Sequence, residues 1–345
     1  MRHKPYTRYA LAFSALCMPA APVFGQSETN SLNHFHFNSR AAFNITARFK
    51  QSGSIALSPN GRTTPNGNAY NYDDGYVLTD VSGNQGGQTW NWGYDGSSQI
   101  SGGTVQMHQN TVAQNVSSSA SSDLPDPGLG GEVSYDREFG SWHGFHYGLE
   151  SAISYMSVSV KATGSGSGDL TQTTDSYALG SGTPPSAPYQ GTFNGPGFLI
   201  GASPASSSTT TTAGAATIVN HQEISADVWG LRIGPYLELP VEEGVDLSLS
   251  VGLSMAVLDA TESWSETVNI SGNSLSASGG GSNMSLQYGG YAAANLSWRL
   301  SRHWEIDAGL QYQYLNTYEH SFGATEVQLD LRKSIFVLWG VSYSF

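Results

Sequence analysis

The residue types that hydrolysis requires come closest together at Glu319-His320-Ser321. A serine hydrolase needs a nucleophilic serine, a histidine that takes its proton and a carboxylate that orients the histidine. The three residues lie in an alternating segment that predicts a strand, where adjacent side chains point to opposite faces. His320 is therefore expected to point away from Ser321. We predict no catalytic residues here and a protein that is not an enzyme.

Metal-ligand spacing is also incomplete. Asp73-Asp74-Gly75, with Asp80 nearby, groups carboxylates around a glycine but lacks the twelve-residue spacing of a calcium loop of the EF-hand type. His34 and His36 alternate on a short polar segment, and two histidines do not complete a metal site. We predict no cofactor and no metal ligands, while calcium binding by the loops stays open.

The N-terminus predicts a cleaved signal peptide over residues 1–25. A basic region precedes an apolar stretch at about 10–21 that is too short to span a bilayer. Small residues follow at the −3 and −1 positions of a cleavage site, namely Val23 and Gly25. Cys17, the single cysteine, lies in this leader, so the mature chain is expected to hold no disulfide and no cysteine-based site.

The net charge of the mature chain argues against some classes of binding partner. Cleavage removes Arg2, Lys4 and Arg8, which leaves 11 of the 14 Lys and Arg against 27 Asp and Glu, a formal charge of −16. That balance argues against nucleic acid, and against anionic lipid as a partner of the whole surface. Only three lysines remain, whereas a soluble β-protein usually places lysine on its outer face and edges. The outer face is therefore expected to meet lipid.

Period-two alternation of apolar residues predicts eight strands. They fall at about 40–50, 129–139, 145–160, 229–240, 245–257, 284–300, 304–314 and 334–345. Short connections at 140–144, 241–244 and 301–303 alternate with long ones at about 51–128, 163–220, 260–283 and 316–327. Transmembrane barrels have short periplasmic turns and longer outside loops, and an even strand count leaves both termini on the periplasmic side.

Three observations favour a membrane barrel over a soluble lipocalin-like one. The polar face of the strands carries small residues, which suit a narrow interior. It also carries opposed charges that can pair inside, namely Arg48, Arg232 and Arg299 against Glu132, Glu150, Glu305 and Asp307. Aromatic residues cluster at the two ends of the strands, as in interfacial girdles: Trp142, Tyr147, Trp298, Trp304 and Tyr343 at one end, and Tyr155, Trp229, Tyr288 and Tyr314 at the other.

The last strand ends the chain with alternating apolar and aromatic residues, Trp339, Val341, Tyr343 and Phe345. This resembles the assembly signal of bacterial outer-membrane β-barrels, and the whole pattern resembles small barrels of the OmpA, OmpX or OmpW kind. The resemblance implies an eight-stranded antiparallel up-and-down barrel in the outer membrane, with its lipids and the barrel assembly machinery as partners. This strand is expected to pair with the first one, and Phe336 and Leu338 are expected to pack in the barrel interior.

The long loops carry the expected function. Residues 26–39 are predicted as a periplasmic leader and 40–345 as the barrel, with ten strands if the aromatic segment 75–95 joins the sheet. In that segment Tyr76, Trp90, Trp92 and Tyr94 suggest a platform for an unknown extracellular ligand, or else an extension packed on the barrel rim. We predict loops that serve adhesion, recognition or envelope integrity. The alternatives are a channel for small solutes or apolar compounds, and a lipid hydrolase.

Overall fold

The computed structural model of the chain describes residues 33–57, 69–78, 86–122, 127–270 and 273–345. The predicted signal peptide lies outside the described residues. One 3-10 turn, Ser97–Gln99, accompanies the strands. Among the described residues, no helix has the length and apolar character needed to cross a membrane. The strands are β1 (Asn33–Phe43), β2 (Ile45–Ala56), β3 (Ala69–Tyr72), β4 (Gly75–Leu78), β5 (Gln88–Thr89), β6 (Trp92–Tyr94), β7 (Ile100–Ser101), β8 (Thr104–Ser122), β9 (Gly128–Trp142), β10 (Phe145–Ala178), β11 (Tyr189–Gln190), β12 (Ile200–Gly201), β13 (Ser206–Glu242), β14 (Val245–Ile270), β15 (Asn273–Arg299), β16 (Trp304–Leu315), β17 (Tyr318–Phe322), β18 (Thr325–Asp330) and β19 (Ser334–Ser344).

Eight antiparallel strands close into a barrel in the order β1, β9, β10, β13, β14, β15, β16, β19 and back to β1. The last strand closes the ring on the first, with His34 opposite Ser344 and Phe43 opposite Ile335. The prediction of an eight-stranded antiparallel barrel is confirmed. The alternative of ten strands is not, because β4 and β6 of segment 75–95 belong to a separate four-stranded sheet and β5 to a separate two-stranded sheet.

The connections on the periplasmic side are short, as predicted. His143 and Gly144, with φ of 52° and 84°, form the two-residue turn between β9 and β10. Consecutive positive φ values match the right-handed twist of a hairpin, which explains the tight reversal. Gly244, with φ of 76°, turns β13 into β14, and residues 300–303 link β15 to β16.

The barrel wall continues beyond the membrane-spanning ring as a second level of paired strands, here called the extension. Four strands run through both levels without interruption, namely β10, β13, β14 and β15. β9, β1, β19 and β16 stop at the outer rim of the membrane-spanning ring, and β8, β2, β18 and β17 continue them in the same order around the wall. Asn44, with φ of 61°, separates β1 from β2, and its Nδ2 donates to the carbonyl oxygen of Lys333 at 2.9 Å. Two of the breaks are thus tied together.

Apolar side chains cover the outer face of the membrane-spanning ring. Leu253 is 70% exposed, and Val251 and Met255 on β14 and Ile153 on β10 are also exposed. Trp142, Tyr147, Trp298 and Trp304 are exposed at the periplasmic end, and Tyr155, Trp229, Tyr288 and Tyr314 at the other end. A belt of apolar residues between two aromatic girdles is the surface that lipid selects. The structure therefore confirms the membrane barrel.

The first strand differs from its prediction. Barrel pairing begins at Asn33, so residues 33–39 belong to the ring and not to a leader. The break at Asn44 changes which residues point inward, because side chains alternate with a period of two. Ile45, Ala47 and Phe49, which alternate with the inward-predicted Arg48 along the predicted strand at 40–50, are buried inside the extension. Arg48, predicted inside, is exposed on the outer wall.

Most of the segments predicted as long loops are also strands. β8 and the upper halves of β10 and β13 occupy much of 51–128 and 163–220. Their Ser-, Thr- and Gly-rich sequences pair along continuous ladders, and buried Val112, Val116 and Ile218 hold the upper end of the extension together. The described residues 69–78, 86–107 and 177–201 fold into a small domain on top, here called the cap, around a core that includes Trp92, Met107 and Tyr177.

Candidate functional site

A buried network of charges crosses the barrel lumen. Glu132 on β9 accepts hydrogen bonds from Arg40 on β1, at 3.2 Å, and from Arg232 on β13, at 2.7 Å. Arg232 also pairs with Glu150 on β10. The Arg40 guanidinium lies 3.9 Å from the ring centroid of Phe336. All four charged residues are buried, so each charge is matched by an opposite one in an interior that water does not reach.

A second polar layer lies nearer the periplasm. His36 bridges two carboxylates, with Nε2 3.0 Å from Asp136 and Nδ1 2.8 Å from Asp307. Ser297 and Ser342 donate to the same Asp307 oxygen. Asp307 was predicted among charges that pair with arginines, and its partner is instead a histidine from the segment predicted as a leader. Arg299 is half exposed and meets Glu305 at 3.5 Å and Asp246 at 3.2 Å.

Apolar side chains close the lumen above the charge network. Phe336 and Leu338 are 1% and 3% exposed, which confirms that they pack in the barrel interior. They join Met156, Val228 and Leu258 in one cluster across the ring. A cavity beside Arg40 and Phe336 measures about 10 Å³, about the space of a single water molecule.

A polar layer of a different kind fills the extension above that cluster. Its side chains are buried and mostly uncharged: Gln51, Gln114, Asn220, Gln222, Glu266 and Thr325. Gln51 on β2 reaches across to Glu266 on β14, where its Nε2 donates to Oε2 at 2.6 Å. Ser118 on β8 donates to Gln222 on β13 at 2.7 Å. Five of these residues, all except Gln222, were not predicted as a site because they were assigned to loops. The inward position of Gln51 on β2 depends on the break at Asn44.

The hydrolase-like residues do not assemble. His320 points into the extension, where its Nδ1 lies 2.8 Å from Glu262, and the Tyr318 hydroxyl donates to the other oxygen of Glu262 at 2.9 Å. Ser321 is exposed on the outer face of β17. The predicted separation of His320 from Ser321 is therefore confirmed. Burial and the Glu262 contact raise the pKa of Tyr318, so this hydroxyl stays protonated and acts as a structural donor.

The acidic pair of the first long segment has a structural role. Asp73 accepts hydrogen bonds from the backbone and side chain of Asn110, both at 2.8 Å. Asp74 accepts from the backbone N–H of His108 at 2.8 Å and contacts its ring Nδ1. Asp80 lies outside the described residues. Within the described ranges, no three His, Cys, Asp or Glu side chains lie together as metal ligands.

Three of the four predicted platform aromatics are buried in the cap. Trp92 and Tyr94 stack at 5.5 Å between ring centroids, and the Trp92 indole donates to the Phe198 carbonyl at 2.8 Å. The Tyr76 hydroxyl donates to the Gly191 carbonyl at 3.1 Å. Trp90 is half-buried, and its indole donates to the Phe193 carbonyl. Burial withdraws Tyr76, Trp92 and Tyr94 from the exposed surface that their sequence suggested, because partners about 100 residues away cover them.

A carboxylate contact joins the cap to the extension. The Tyr72 hydroxyl donates to Asp175 on β10 at 2.6 Å and, within the cap, lies 2.6 Å from the hydroxyl of Tyr177. Burial, followed by these contacts, raises the pKa of Tyr72. Tyr177 is fully buried at the upper end of β10. The cap is thus continuous with the rigid wall beneath it.

The outer wall of the extension carries a groove of about 510 Å³ between β18, β2 and β8. Arg48 and Lys50 line it from β2, with Ser117 and Ser119 on β8 and Glu326 on β18. Arg48 and Lys50 alternate on the outward face and are exposed. Neither forms a salt bridge with another described residue, so both cations are available to an external group.

The predicted assembly residues lie on the closing strand. Trp339 and Val341 are exposed on the outer face of β19, Phe345 is exposed directly after its end, and Tyr343 is partly exposed beside Trp304, at 5.1 Å between ring centroids. The Phe345 ring stacks on Phe35 of β1 at 5.7 Å. The exposed aromatic residues at the end of this strand are placed as expected for the aromatic girdle at the periplasmic end of the barrel. Recognition by the assembly machinery stays a prediction.

A closed eight-stranded ring with a lipid-facing belt defines the class of this protein, an integral β-barrel of the bacterial outer membrane. No family model matches the chain, and no curated protein matches it. Solved structures similar to it include Ail, the attachment invasion locus protein of Yersinia pestis, in complex with the heparin analogue sucrose octasulfate, at 11% identity and TM-score 0.26, covering 88% of this chain and 99% of that one. The outer membrane protease OmpT from Escherichia coli gives 9% identity and TM-score 0.24, covering 90% of this chain and 97% of that one. The P. putida toluene transporter TodX gives 5% identity and TM-score 0.18, covering 92% of this chain and 91% of that one. Scores this low assign no function.

Proposed function

We propose that this chain is a non-enzymatic outer-membrane barrel that recognises an anionic partner outside the cell through its extension. The groove that contains Arg48 and Lys50 carries the proposal. It lies on a wall formed by three paired strands, so its cations are held on a rigid support. Successive outward positions on a strand are about 7 Å apart, which lets both side chains reach one sulfated, phosphorylated or carboxylated group.

The overall negative charge does not oppose this assignment. Charges exposed to solvent are screened within about 8 Å at physiological salt, so the local cations decide what enters the groove. Ser117 and Ser119 add hydroxyl donors opposite the cations. Glu326 lies opposite Lys50 in the β2–β18 ladder. Because its carboxylate repels anions, the part of a ligand that lies beside Glu326 is expected to be uncharged.

Binding of heparin, used as a sulfated polysaccharide probe, tests the proposal. The double variant Arg48→Gln with Lys50→Gln is expected to lose at least about tenfold in affinity, about 1.4 kcal/mol. Binding by the unaltered protein is expected to weaken with added salt. Lys161→Gln is the matched control, because Lys161 is exposed on β10 and already pairs with Glu223 at 3.4 Å. Equal affinity in the double variant and the control would overturn the groove as the binding surface.

We do not expect the alternative function, a channel. The charge network and the apolar cluster fill the lumen at two successive levels. We expect no stable conductance from the folded protein in a planar bilayer. Large and stable single-channel openings would contradict this expectation.

A further inference from the structure

The wall of the extension is paired on both sides of each long strand except along the upper part of β15. β15 pairs with β14 over its whole length, but with β16 only up to Gly289. Above that level β17 lies beside β15, and no ladder joins these two strands among the described residues. β17 ends at Phe322, whose ring packs against Gly281. Residues 274–280 lie above this contact and are here called the free edge.

The backbone groups of every second residue point out of the free edge. The carbonyl of Tyr288 accepts from the backbone N–H of Asn316, and the N–H of Tyr288 donates to the Asn316 side chain. Both groups of Tyr288 therefore point away from β14. The register between β15 and β14 is unbroken up to Asn273 opposite Ile270, so this direction repeats at each even-numbered residue. The outward-directed N–H and C=O groups of the free edge span about 20 Å and belong to Ser274, Ser276, Ser278 and Gly280.

The free edge has none of the features that usually keep an edge strand from pairing. Natural sheets protect their edges with charged residues, proline or a bulge. Residues 273–286 include no Asp, Glu, Lys, Arg or Pro, and their ladder to β14 contains no bulge. β17 differs, because it is 5 residues long and one of them is Glu319. The edge of β15 is therefore open to another strand, whereas the edge of β17 is short and charged.

The two faces of the free edge differ in polarity. Hydroxyl side chains are exposed on the outer face, namely Ser274, Ser276 and Ser278. On the inner face, Leu275 lies opposite Val268, which belongs to the apolar cluster at the upper end of the extension. Gly279 is covered by the ring of Trp264, which is itself partly exposed. An added strand would therefore meet hydroxyl groups on one face and apolar groups on the other.

We propose that the free edge of β15 binds an extended segment of another protein, which joins the wall as an antiparallel strand. Backbone hydrogen bonds supply the affinity in this mode of recognition, and alternate side chains supply the specificity. The matching segment is about eight residues long, because about 20 Å of edge is available. Its apolar side chains alternate with Ser or Thr, so that the apolar ones face Trp264 and the hydroxyls pair with the exposed serines.

A second copy of this chain in the same membrane fits the free edge less well. The strand pairs of the described wall are antiparallel. Copies in one membrane share one orientation, so two β15 strands would pair in parallel, which is slightly less stable. A segment of an extracellular protein has no such restriction. The site is also separate from the groove of Arg48 and Lys50, which lies between β18, β2 and β8.

A fluorescent peptide with the sequence of residues 261–270, with valine in place of its two glutamates, tests the proposal. This part of β14 pairs with β15 along the opposite edge. Anisotropy is measured with the folded full-length protein in detergent. Ser278→Pro is expected to weaken peptide binding by at least about tenfold, because proline removes an outward N–H and its ring blocks the approaching strand. Ser278→Thr keeps this N–H and is the matched control, with unchanged affinity expected.

The bond pattern to β14 is preserved in both variants, because the N–H of residue 278 points away from β14. Equal affinity in Ser278→Pro and Ser278→Thr would overturn the free edge as the binding site, and so would the absence of binding to the unaltered protein. A dimer of the unaltered protein that Ser278→Pro abolishes would make the occupant a second copy and would contradict an outside partner.

Two modified peptides keep the test decisive if Ser278→Pro folds poorly. One carries N-methyl groups on its odd residues and the other on its even residues, so each lacks the N–H donors along one edge. A strand added at the free edge uses only one of its own edges. One modified peptide is therefore expected to bind like the parent and the other to lose at least about tenfold in affinity. Equal binding of the two modified peptides would rule out strand addition.

Discussion

The membrane-spanning lumen and the interior of the extension place buried polar groups in opposite ways. In the lumen, Glu132 and Glu150 are matched by Arg40 and Arg232. In the extension, a ring of amides surrounds Glu266 and several of its oxygens lack partners. The same antiparallel wall thus encloses carboxylates paired with arginines at one level and, at the next, a carboxylate that forms no salt bridge with a described residue.

This difference in charge pairing indicates the role of each interior. Charges that are paired across the lumen brace the ring where lipid surrounds it. A buried carboxylate without a cationic partner destabilises the folded state. The lumen network is therefore interpreted as structural, while stability in the extension is expected to depend on the protonation of Glu266. The predictions below test this contrast in order of expected effect.

The largest effect is expected from Glu132→Gln. The change leaves Arg40 and part of Arg232 without a compensating charge in the buried lumen. Breaking a buried pair from one side typically destabilises by about 3–5 kcal/mol. Urea unfolding in lipid vesicles measures it. The control is Glu305→Gln, whose partner Arg299 is half exposed, and which is expected to cost less than about 1 kcal/mol. Equal losses would remove the special role of the lumen network.

Phe336→Ala is expected to cost about 3 kcal/mol. The ring is fully buried beneath the Arg40 guanidinium, and large-to-small changes of buried aromatics leave a cavity. Unfolding free energy measures the loss, and bilayer recordings show whether the gap admits ions. Val337→Ala, on the adjacent outward position of β19, is the control and is expected to change stability little. A stability loss in Val337→Ala as large as in Phe336→Ala would show that β19 is sensitive at either face.

Much of the membrane-spanning ring could be predicted, because period-two alternation reports directly which side chains meet lipid. Phe336 and Leu338, the two apolar residues on a polar face, correctly predicted a packed core. The extension could not be predicted in the same way. A single positive φ at Asn44 reverses the faces of the following strand, and no periodic pattern announces it. The cap aromatics depend on partners such as Phe198 that lie far away in the chain.

Glu266→Gln is expected to stabilise the protein by about 1 kcal/mol at neutral pH, because it removes a buried charge that has no cationic partner among the described residues. The folded-state pKa is raised above the ordinary value of 4.5. The folded state therefore keeps a proton that the unfolded state releases, and the unaltered protein loses stability as pH rises through that window. The advantage of the variant is expected to vanish below about pH 4. An advantage that is the same at every pH would place its origin outside the titration of Glu266.

The smallest effect is expected at the exposed pair beside the break between β18 and β19. Arg332 contacts both oxygens of Asp330, at 2.9 and 2.7 Å, and holds the pKa of that carboxyl down at about 2. A lowered pKa contributes stability above the ordinary value of 3.8, and this contribution is lost as pH falls toward 2. In the Asp330→Asn variant, the loss of stability between pH 4 and 2 is expected to be slightly smaller. The effect is small because Arg332 is 45% exposed and solvent screens the pair. Unfolding measured between pH 4 and 2 tests it. A loss of stability as large as that of Glu132→Gln would mean that this exposed pair matters as much as the buried network. The contrast between the membrane-spanning lumen and the extension would then depend on position along the wall and not on burial.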